Sequence, residues 1–202
     1  MDQAEWDERY GSREPVWSGR ANGTLVAQVS GLTPGRALEA AAGEGADAIW
    51  LAEHGWQVTA LDFSAVGLAR AAAAAAERGL GDAIRWVHAD LLDWTPDEPP
   101  YDLVTSHYLH LPSEPRGRIY ATIAAAVAPG GRLLVVGHHP SDLELGVNRP
   151  PDPDRFFTAE QLAADLGTGW IVEQALAAPR PATHPEGHEV TIHDTVLLAR
   201  RA

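Results

Sequence analysis

The 202-residue sequence contains no cysteine and no lysine. Without cysteine the chain has no disulfide scaffold, no thiolate zinc site and no cysteine nucleophile. Without lysine it can form no Schiff base and lacks the lysine of a phosphate-binding P-loop. All 15 basic residues are arginines, and the 28 acidic residues give a formal net charge of −13. This excess of negative charge disfavours a nucleic acid partner.

Long apolar runs are also missing. No stretch approaches the roughly 20 residues that a membrane-spanning helix needs. The first five residues are acidic rather than basic and are not typical of a secretory signal. The length is enough for one domain with its own core. We therefore expect a single cytoplasmic domain over residues 1–202 that has no membrane partner, and the sequence sets no oligomeric state.

Short apolar segments alternate with helical patterns through the middle of the chain. Five of them are predicted strands: Arg36–Ala40, Gln57–Leu61, Ile84–His88, Tyr101–Ser106 and Arg132–Gly137. Helices are predicted after the first, second and fourth of these strands, the last of them over Glu114–Ala128. Apolar strands that alternate with helices indicate a parallel sheet covered by helices on both faces.

The last third of the chain has a different pattern. A helix is predicted over Ala159–Leu166, and strands over Trp170–Leu176 and Val190–Ala199. Two strands without a helix between them indicate an antiparallel pair at the sheet edge. The predicted fold is therefore a Rossmann-like, doubly wound, mostly parallel α/β sheet with an antiparallel strand pair at the C-terminus. Its parts are an N-terminal helical lid (1–30), a core (36–137) and a C-terminal helix and strand pair (158–200).

A glycine-containing loop follows the first predicted strand, where open parallel sheets bind ligands. Gly43 and Gly45 allow a ligand to approach the backbone, and the next helix offers free N–H groups to an anion. Glu39 ends the strand and suits an ammonium group. Asp62 follows about 20 residues after the glycines, where an acid hydrogen-bonds ribose hydroxyls.

Two further residues could contact a purine base bound at the same edge of the sheet. Phe63 offers a ring face, and Asp90 can accept a hydrogen bond from an exocyclic amine. Together with Glu39, they fit a nucleoside joined to an amino-acid group, which describes S-adenosylmethionine better than NAD. An NAD(P)-dependent oxidoreductase remains an alternative. The absence of lysine argues against it, because a catalytic pair of the Tyr-x-x-x-Lys type cannot be formed.

Several segments resemble the successive motifs of class I S-adenosylmethionine-dependent methyltransferases: Leu38–Gly45, Ala60–Ser64, Ala89–Leu91 and Pro129–Leu133. Trp6–Tyr10 and Trp17–Arg20 resemble the small-molecule subset, similar to thiopurine and tellurite-resistance methyltransferases. The resemblance implies methyl transfer to a small-molecule acceptor, with S-adenosyl-L-methionine as cofactor and S-adenosyl-L-homocysteine as product. The implied cofactor-binding residues are Glu39, Ala41, Gly43, Gly45, Asp62, Phe63, Asp90, Leu91 and Trp17.

Ala41 departs from the family pattern, because the loop usually carries a glycine at this position. If the position needs a left-handed backbone, alanine costs on the order of 1 kcal/mol. A catalytically inactive ligand-binding relative of the fold is therefore a further alternative.

Four of the nine histidines lie in the loops after the fourth and fifth predicted strands, and two of them are candidate site residues. His107 comes after the fourth strand and His138 after the fifth, and both are candidates for a general base or a contact with the acceptor. A base is needed only if the nucleophilic S, N or O atom carries a proton. The C-terminal histidines match no zinc motif, so no metal site is predicted. The N-terminal aromatic residues are candidates for a lid against the sulfonium.

Overall fold

The computed structural model describes residues 3–11, 16–96 and 100–202. The helices are α1 (Gln3–Gly11), α2 (Gly23–Val29), α3 (Ala46–Glu53), α4 (Ala65–Glu77), α5 (Ser113–Ala125) and α6 (Ala159–Leu166). The strands are β1 (Arg36–Ala40), β2 (Gln57–Asp62), β3 (Ile84–His88), β4 (Tyr101–His107), β5 (Val127–His138), β6 (Trp170–Thr183) and β7 (Glu189–Arg201). Within the described ranges, no helix is long and apolar enough to cross a bilayer.

All seven strands form one sheet in the order β3-β2-β1-β4-β5-β7-β6. The first five strands are parallel, and β7 runs antiparallel to both β5 and β6. The predicted fold class is therefore confirmed. The strand order reverses between β1 and β4, and a doubly wound sheet binds its ligands in the crevice beyond that point.

Helices cover both faces of the sheet, as the apolar strands predict. One core lies on the side of α5 and α6, where Ile119 and Leu162 pack with Leu38 of β1. The second core lies on the side of α2, α3 and α4, and it contains Leu25 and Leu51. Burial on both faces leaves the carboxyl ends of the strands and their loops to form a site.

Side chains at three helix starts fix the helices that flank the site. The Asn22 side chain accepts hydrogen bonds from the first turn of α2, and Ser64 accepts one from the N–H of Gly67 in α4. Thr158 and Gln161 form a reciprocal capping box at α6. Each cap satisfies N–H groups that have no partner within the helix.

Three predicted boundaries are wrong by three residues or more. α5 ends at Ala125 rather than Ala128, and β5 begins at Val127 rather than Arg132, because Val127 pairs with Tyr101 in the core. β6 extends to Thr183 rather than Leu176, although it contains Pro179 and Pro181. The sheet tolerates these prolines because β6 is an edge strand, where a residue without an N–H can face away from its neighbour.

Candidate functional site

The loop between β1 and α3 has an unusual backbone. Ala41, Gly43 and Gly45 have φ angles of 65°, 54° and 73°, all in the left-handed region. Asp62, at the end of β2, holds this loop, because its Oδ2 accepts the N–H of Gly43 at 2.8 Å. Its Oδ1 accepts the N–H of Ser64 at 2.8 Å. Each carboxylate oxygen has further acceptor capacity for a ligand.

We predict that Ala41→Gly stabilises the protein. The left-handed φ of Ala41 costs an L-residue roughly 1 kcal/mol, and glycine adopts it without a Cβ clash. We expect urea unfolding to show a free energy of unfolding up to about 1 kcal/mol higher. The greater chain entropy of unfolded glycine opposes this gain. An unchanged or lower stability would mean that the Ala41 methyl contributes more by packing than its backbone costs.

Three titratable side chains converge at the tips of β1 and β4. Single ligand atoms of Glu39, Asp47 and His107 all lie within 4.8 Å of one another. His107 Nδ1 lies 2.6 Å from Asp47 Oδ2, and Asp47 Oδ1 accepts the N–H of Asn22 at 2.6 Å. Glu39 is 4% exposed, and its Oε2 has no hydrogen-bond partner. The cluster therefore presents an unsatisfied buried acid beside the glycine loop.

Burial raises the pKa of the Glu39 carboxyl well above its usual range, and the nearby Asp47 and Asp62 raise it further. Burial also raises the pKa of Asp62, against the N–H groups of Ser64 and Gly43, which lower it. A nearby positive charge stabilises the ionised form of buried carboxylates that lie close together. The arrangement is therefore suited to a cationic group, such as an ammonium.

The predicted purine residues lie toward the β3 side of the sheet. Asp62 pairs with His88, and Asp90 follows two residues later. Phe63 is half-buried, and its carbonyl lies 2.9 Å from His88 Nε2. Leu91 is buried, whereas Asp90 is exposed, and its Oδ1 accepts the N–H of Leu92. Glu39 and Asp62 are both buried, and they lie close enough for Asp62 to raise the pKa of Glu39, whereas Asp90 is exposed two residues beyond β3.

The N-terminal segment is attached to the glycine loop. The Glu44 carboxylate accepts the N–H groups of Val16 and Trp17, each at 3.0 Å from Oε2. The Tyr10 hydroxyl accepts a hydrogen bond from Trp17 Nε1 and lies 2.8 Å from the position of a Cβ on Gly43. Trp17, a predicted cofactor contact, is therefore next to the loop and 49% exposed. Residues 1–2 and 12–15 of the predicted lid lie outside the described ranges.

A second cluster lies where the end of β5 pairs with the middle of β7. His138 is paired directly across the sheet with Asp194, and its ring stacks on that of His110. Asp194 Oδ2 accepts hydrogen bonds from Arg180 Nε at 2.6 Å and from the Tyr108 hydroxyl at 3.0 Å. The two predicted base candidates are therefore in different surroundings, because His107 joins the acids beside the glycine loop and His138 joins this cluster.

Sequence reasoning missed Asp47 and Asp194 as site residues. Asp47 lies in the first turn of α3, where an acid is ordinary because it complements the helix dipole. Asp194 has a clearer sequence signal, because it is an acid next to the apolar run of β7. In the structure it is only 4% exposed. A buried acid within a strand requires partners.

The site thus combines a left-handed glycine loop, strand-tip acids and a switch in strand order, an arrangement with which doubly wound α/β folds bind nucleotides. Residues 37–131, just under half of the chain, match the model of a methyltransferase domain. A solved structure of the glycopeptide N-methyltransferase MtfA, complexed with S-adenosyl-L-methionine, covers 91% of this chain and 88% of its own. It is 20% identical, with a TM-score of 0.66.

Two curated relatives are also similar. The tRNA 5-carboxymethoxyuridine methyltransferase of Escherichia coli (strain K12) is 36% identical over 103 residues, which are 50% of this chain and 39% of the relative. The chain thus spans about two fifths of that relative's length. The 2-heptyl-1-hydroxyquinolin-4(1H)-one methyltransferase of Mycobacteroides abscessus is 29% identical over 137 residues, which are 66% of this chain and 60% of the relative.

Residues 37–131 therefore match a methyltransferase domain, and the chain has the fold of S-adenosylmethionine-dependent methyltransferases. The predicted resemblance to this family is therefore confirmed, and the matches support the predicted enzyme class and cofactor. The acceptor and the roles of individual site residues stay predictions.

Proposed function

We propose that this chain transfers the methyl group of S-adenosylmethionine to a small-molecule acceptor. The observation that carries the proposal is the buried Glu39, whose Oε2 has no partner beside the left-handed glycine loop. The cofactor carries an ammonium group that would pair with this acid. Asp47 and His107 lie beside the same position and are already paired with each other, so the ammonium would supply the missing partner of Glu39.

The remaining predicted residues have roles that follow from their positions. Asp62 binds the ribose hydroxyls with the acceptor capacity left on its two oxygens, while it also holds the loop at Gly43. Phe63 and Leu91 contact the adenine, and the exposed Asp90 accepts a hydrogen bond from its amine. Trp17, held by Glu44, lies against the methionine end. When bound, S-adenosylmethionine supplies an electrophilic methyl group on a sulfonium.

A small acceptor is favoured over a tRNA by charge. The chain has a net charge of −13, and binding to a phosphate backbone depends on the release of counterions by a basic surface. The match to the tRNA methyltransferase covers only half of this chain. The quinolone methyltransferase match extends over two thirds of it. We also infer a cytoplasmic location from the acidic composition.

Calorimetry with S-adenosylhomocysteine, S-adenosylmethionine and NAD tests the proposal. We expect micromolar affinity for the first two ligands and no heat from NAD, because NAD has no ammonium group for Glu39. Binding of NAD alone would overturn the proposal and restore the oxidoreductase alternative. Methylation of bulk bacterial tRNA, measured by transfer of a labelled methyl group, would overturn the small-molecule acceptor.

A further inference from the structure

The turn at the tip of the β6–β7 hairpin brings two histidines together. Thr183 and Glu189 are the last residues that pair between the strands, and beyond them the N–H of His184 donates to the carbonyl of His188 at 2.8 Å. Gly187 closes the turn with a left-handed φ of 92°, and its N–H donates to the His184 carbonyl at 2.8 Å. Three-residue hairpin loops commonly need glycine at such a position. The turn therefore places His184 and His188 opposite each other.

Three side chains of this turn present metal-ligating atoms. The imidazole rings of His184 and His188 are stacked, with centroids 4.3 Å apart and planes at 21°. The Glu186 carboxylate reaches back toward them, with its Oε2 3.9 Å from His184 Nδ1. One ligand atom from each residue lies within 4.8 Å of the other two. The folded hairpin creates this cluster, so the spacing of the histidines along the chain did not predict it.

The orientation of the His184 ring leaves one nitrogen facing the turn. Its Nδ1 accepts the N–H of Glu186 at 3.1 Å and therefore carries a lone pair. Its Nε2 faces the loop after β5, because a Cβ built on Gly146 would lie 3.0 Å from this atom. The Nδ1 lone pair is thus on the side of the Glu186 carboxylate, and a metal ion that binds there takes it over from the Glu186 N–H.

The chemistry of the cluster fits a transition-metal cation. Two imidazoles and one carboxylate form a donor set that suits Zn²⁺ and Ni²⁺, whereas Mg²⁺ and Ca²⁺ take oxygen ligands. Tetrahedral bonds of about 2.0–2.1 Å place two ligand atoms roughly 3.4 Å apart. The distance of 3.9 Å from His184 Nδ1 to Glu186 Oε2 is close to this value. The exposed Glu186 and His188 side chains can turn to close the remaining gap.

The charge of the hairpin also favours a cation. Residues 181–199 contain two glutamates, one aspartate and no arginine. The exposed Glu189 follows His188 directly. The whole chain has a net charge of −13, which raises the concentration of cations at its surface. An ion at this turn therefore gains attraction from the chain and meets no arginine of this segment.

We propose that His184, Glu186 and His188 form a binding site for one divalent transition-metal ion of the Zn²⁺ class, with water as the fourth ligand. The ion joins both ends of the turn through the two imidazoles, so it holds together the tip of the two longest strands of the sheet. The site shares no residue with the glycine loop or the strand-tip acids. It is therefore independent of the proposed methyl transfer.

Calorimetric titration of the full chain, prepared without a histidine tag, tests the site with zinc, nickel and magnesium chlorides as probes. The variants are His188→Asn and Glu186→Gln, both at exposed positions outside the cores. His54→Asn is the control, because the His54 ring is stacked on Trp50 at the end of α3, outside the hairpin. Thermal unfolding without metal checks that each variant is folded.

We expect the wild type to bind one Zn²⁺ per chain with micromolar affinity, to bind Ni²⁺ as well, and to give no heat with Mg²⁺. His188→Asn should weaken Zn²⁺ binding about 100-fold or more, because even residues that only orient a metal ligand contribute about 10–100-fold. Glu186→Gln should weaken it about tenfold, since an amide oxygen replaces a charged ligand. Zn²⁺ should raise the unfolding temperature of the wild type and of His54→Asn far more than that of His188→Asn, because a ligand of the folded chain stabilises it.

Three results would overturn the site. The first is no Zn²⁺ binding by the wild type at about 1 mM metal. The second is undiminished Zn²⁺ binding in His188→Asn. Its loss in His107→Asn would then assign the ion to Glu39, Asp47 and His107, the other group of three candidate ligands within the described residues. The third is equal affinity for Mg²⁺ and Zn²⁺, which reduces the binding to a general attraction of cations by an acidic surface.

Discussion

Replacing Glu39 by glutamine should weaken S-adenosylhomocysteine binding about 300-fold while it stabilises the free protein. The affinity falls because the ammonium loses its buried carboxylate, and breaking such a pair costs about 3–5 kcal/mol. The free protein becomes more stable because Glu39 is buried and its Oε2 has no partner. Calorimetry and urea unfolding measure the two effects, which have opposite signs.

The pH dependence of this variant follows from the raised pKa of Glu39. The folded wild type holds the proton more tightly than the unfolded chain, whose glutamate has a pKa of about 4.3. This contribution to stability is complete below pH 4.3 and is lost as the pH rises through the folded value. Glu39→Gln has no ionisable group at this position and so does not lose this stability. The difference in free energy of unfolding between Glu39→Gln and the wild type should therefore grow as the pH rises from about 4.3 to the folded pKa of Glu39.

The half-exposed Glu53 of α3 provides the matched control, because Glu53→Gln removes an acid from the adjacent helix. It should leave affinity and pH dependence near those of the wild type. Tight cofactor binding by Glu39→Gln would contradict the ammonium assignment.

Gly45→Ala should lower the free energy of unfolding by about 3 kcal/mol. Roughly 1 kcal/mol comes from the left-handed backbone at φ 73°. A further loss of about 2 kcal/mol comes from overpacking, because a Cβ would lie 2.7 Å from both the Ala71 Cβ and the Trp86 ring. Urea unfolding followed by tryptophan fluorescence measures the change.

Comparison with Gly79→Ala separates the packing part of this effect from the backbone part. Gly79 has a similar φ of 71°, but a Cβ there meets nothing within 4 Å. This variant should lose only about 1 kcal/mol. Equal losses for the two alanine variants would show that the contact of Gly45 with Ala71 and Trp86 carries no energy.

Local signals account for the parts of the fold and site that could be predicted. Strand tips and the glycine loop can be read from the sequence because apolar runs and Gly43 and Gly45 mark them directly. The alternation of β7 also predicts that His193 and Asp194 point to opposite sides. Asp194 is indeed buried, while His193 is partly exposed.

Pairings between distant residues could not be predicted. His107 and Asp47 are 60 positions apart, and their contact depends on how α3 packs against β4 and on two side-chain rotamers. The extent of β6 was underestimated for a related reason. Prolines count against a strand until the sheet order shows that the strand has a free side.

The prolines of β6 also bear on how molecules of this protein meet at high concentration. An open sheet edge is a template on which a strand of another chain can add, and this is a common route to aggregation. Pro179 and Pro181 remove two N–H donors from the unpaired side of β6. Backbone pairing between neighbouring molecules is therefore interrupted along this half of the strand.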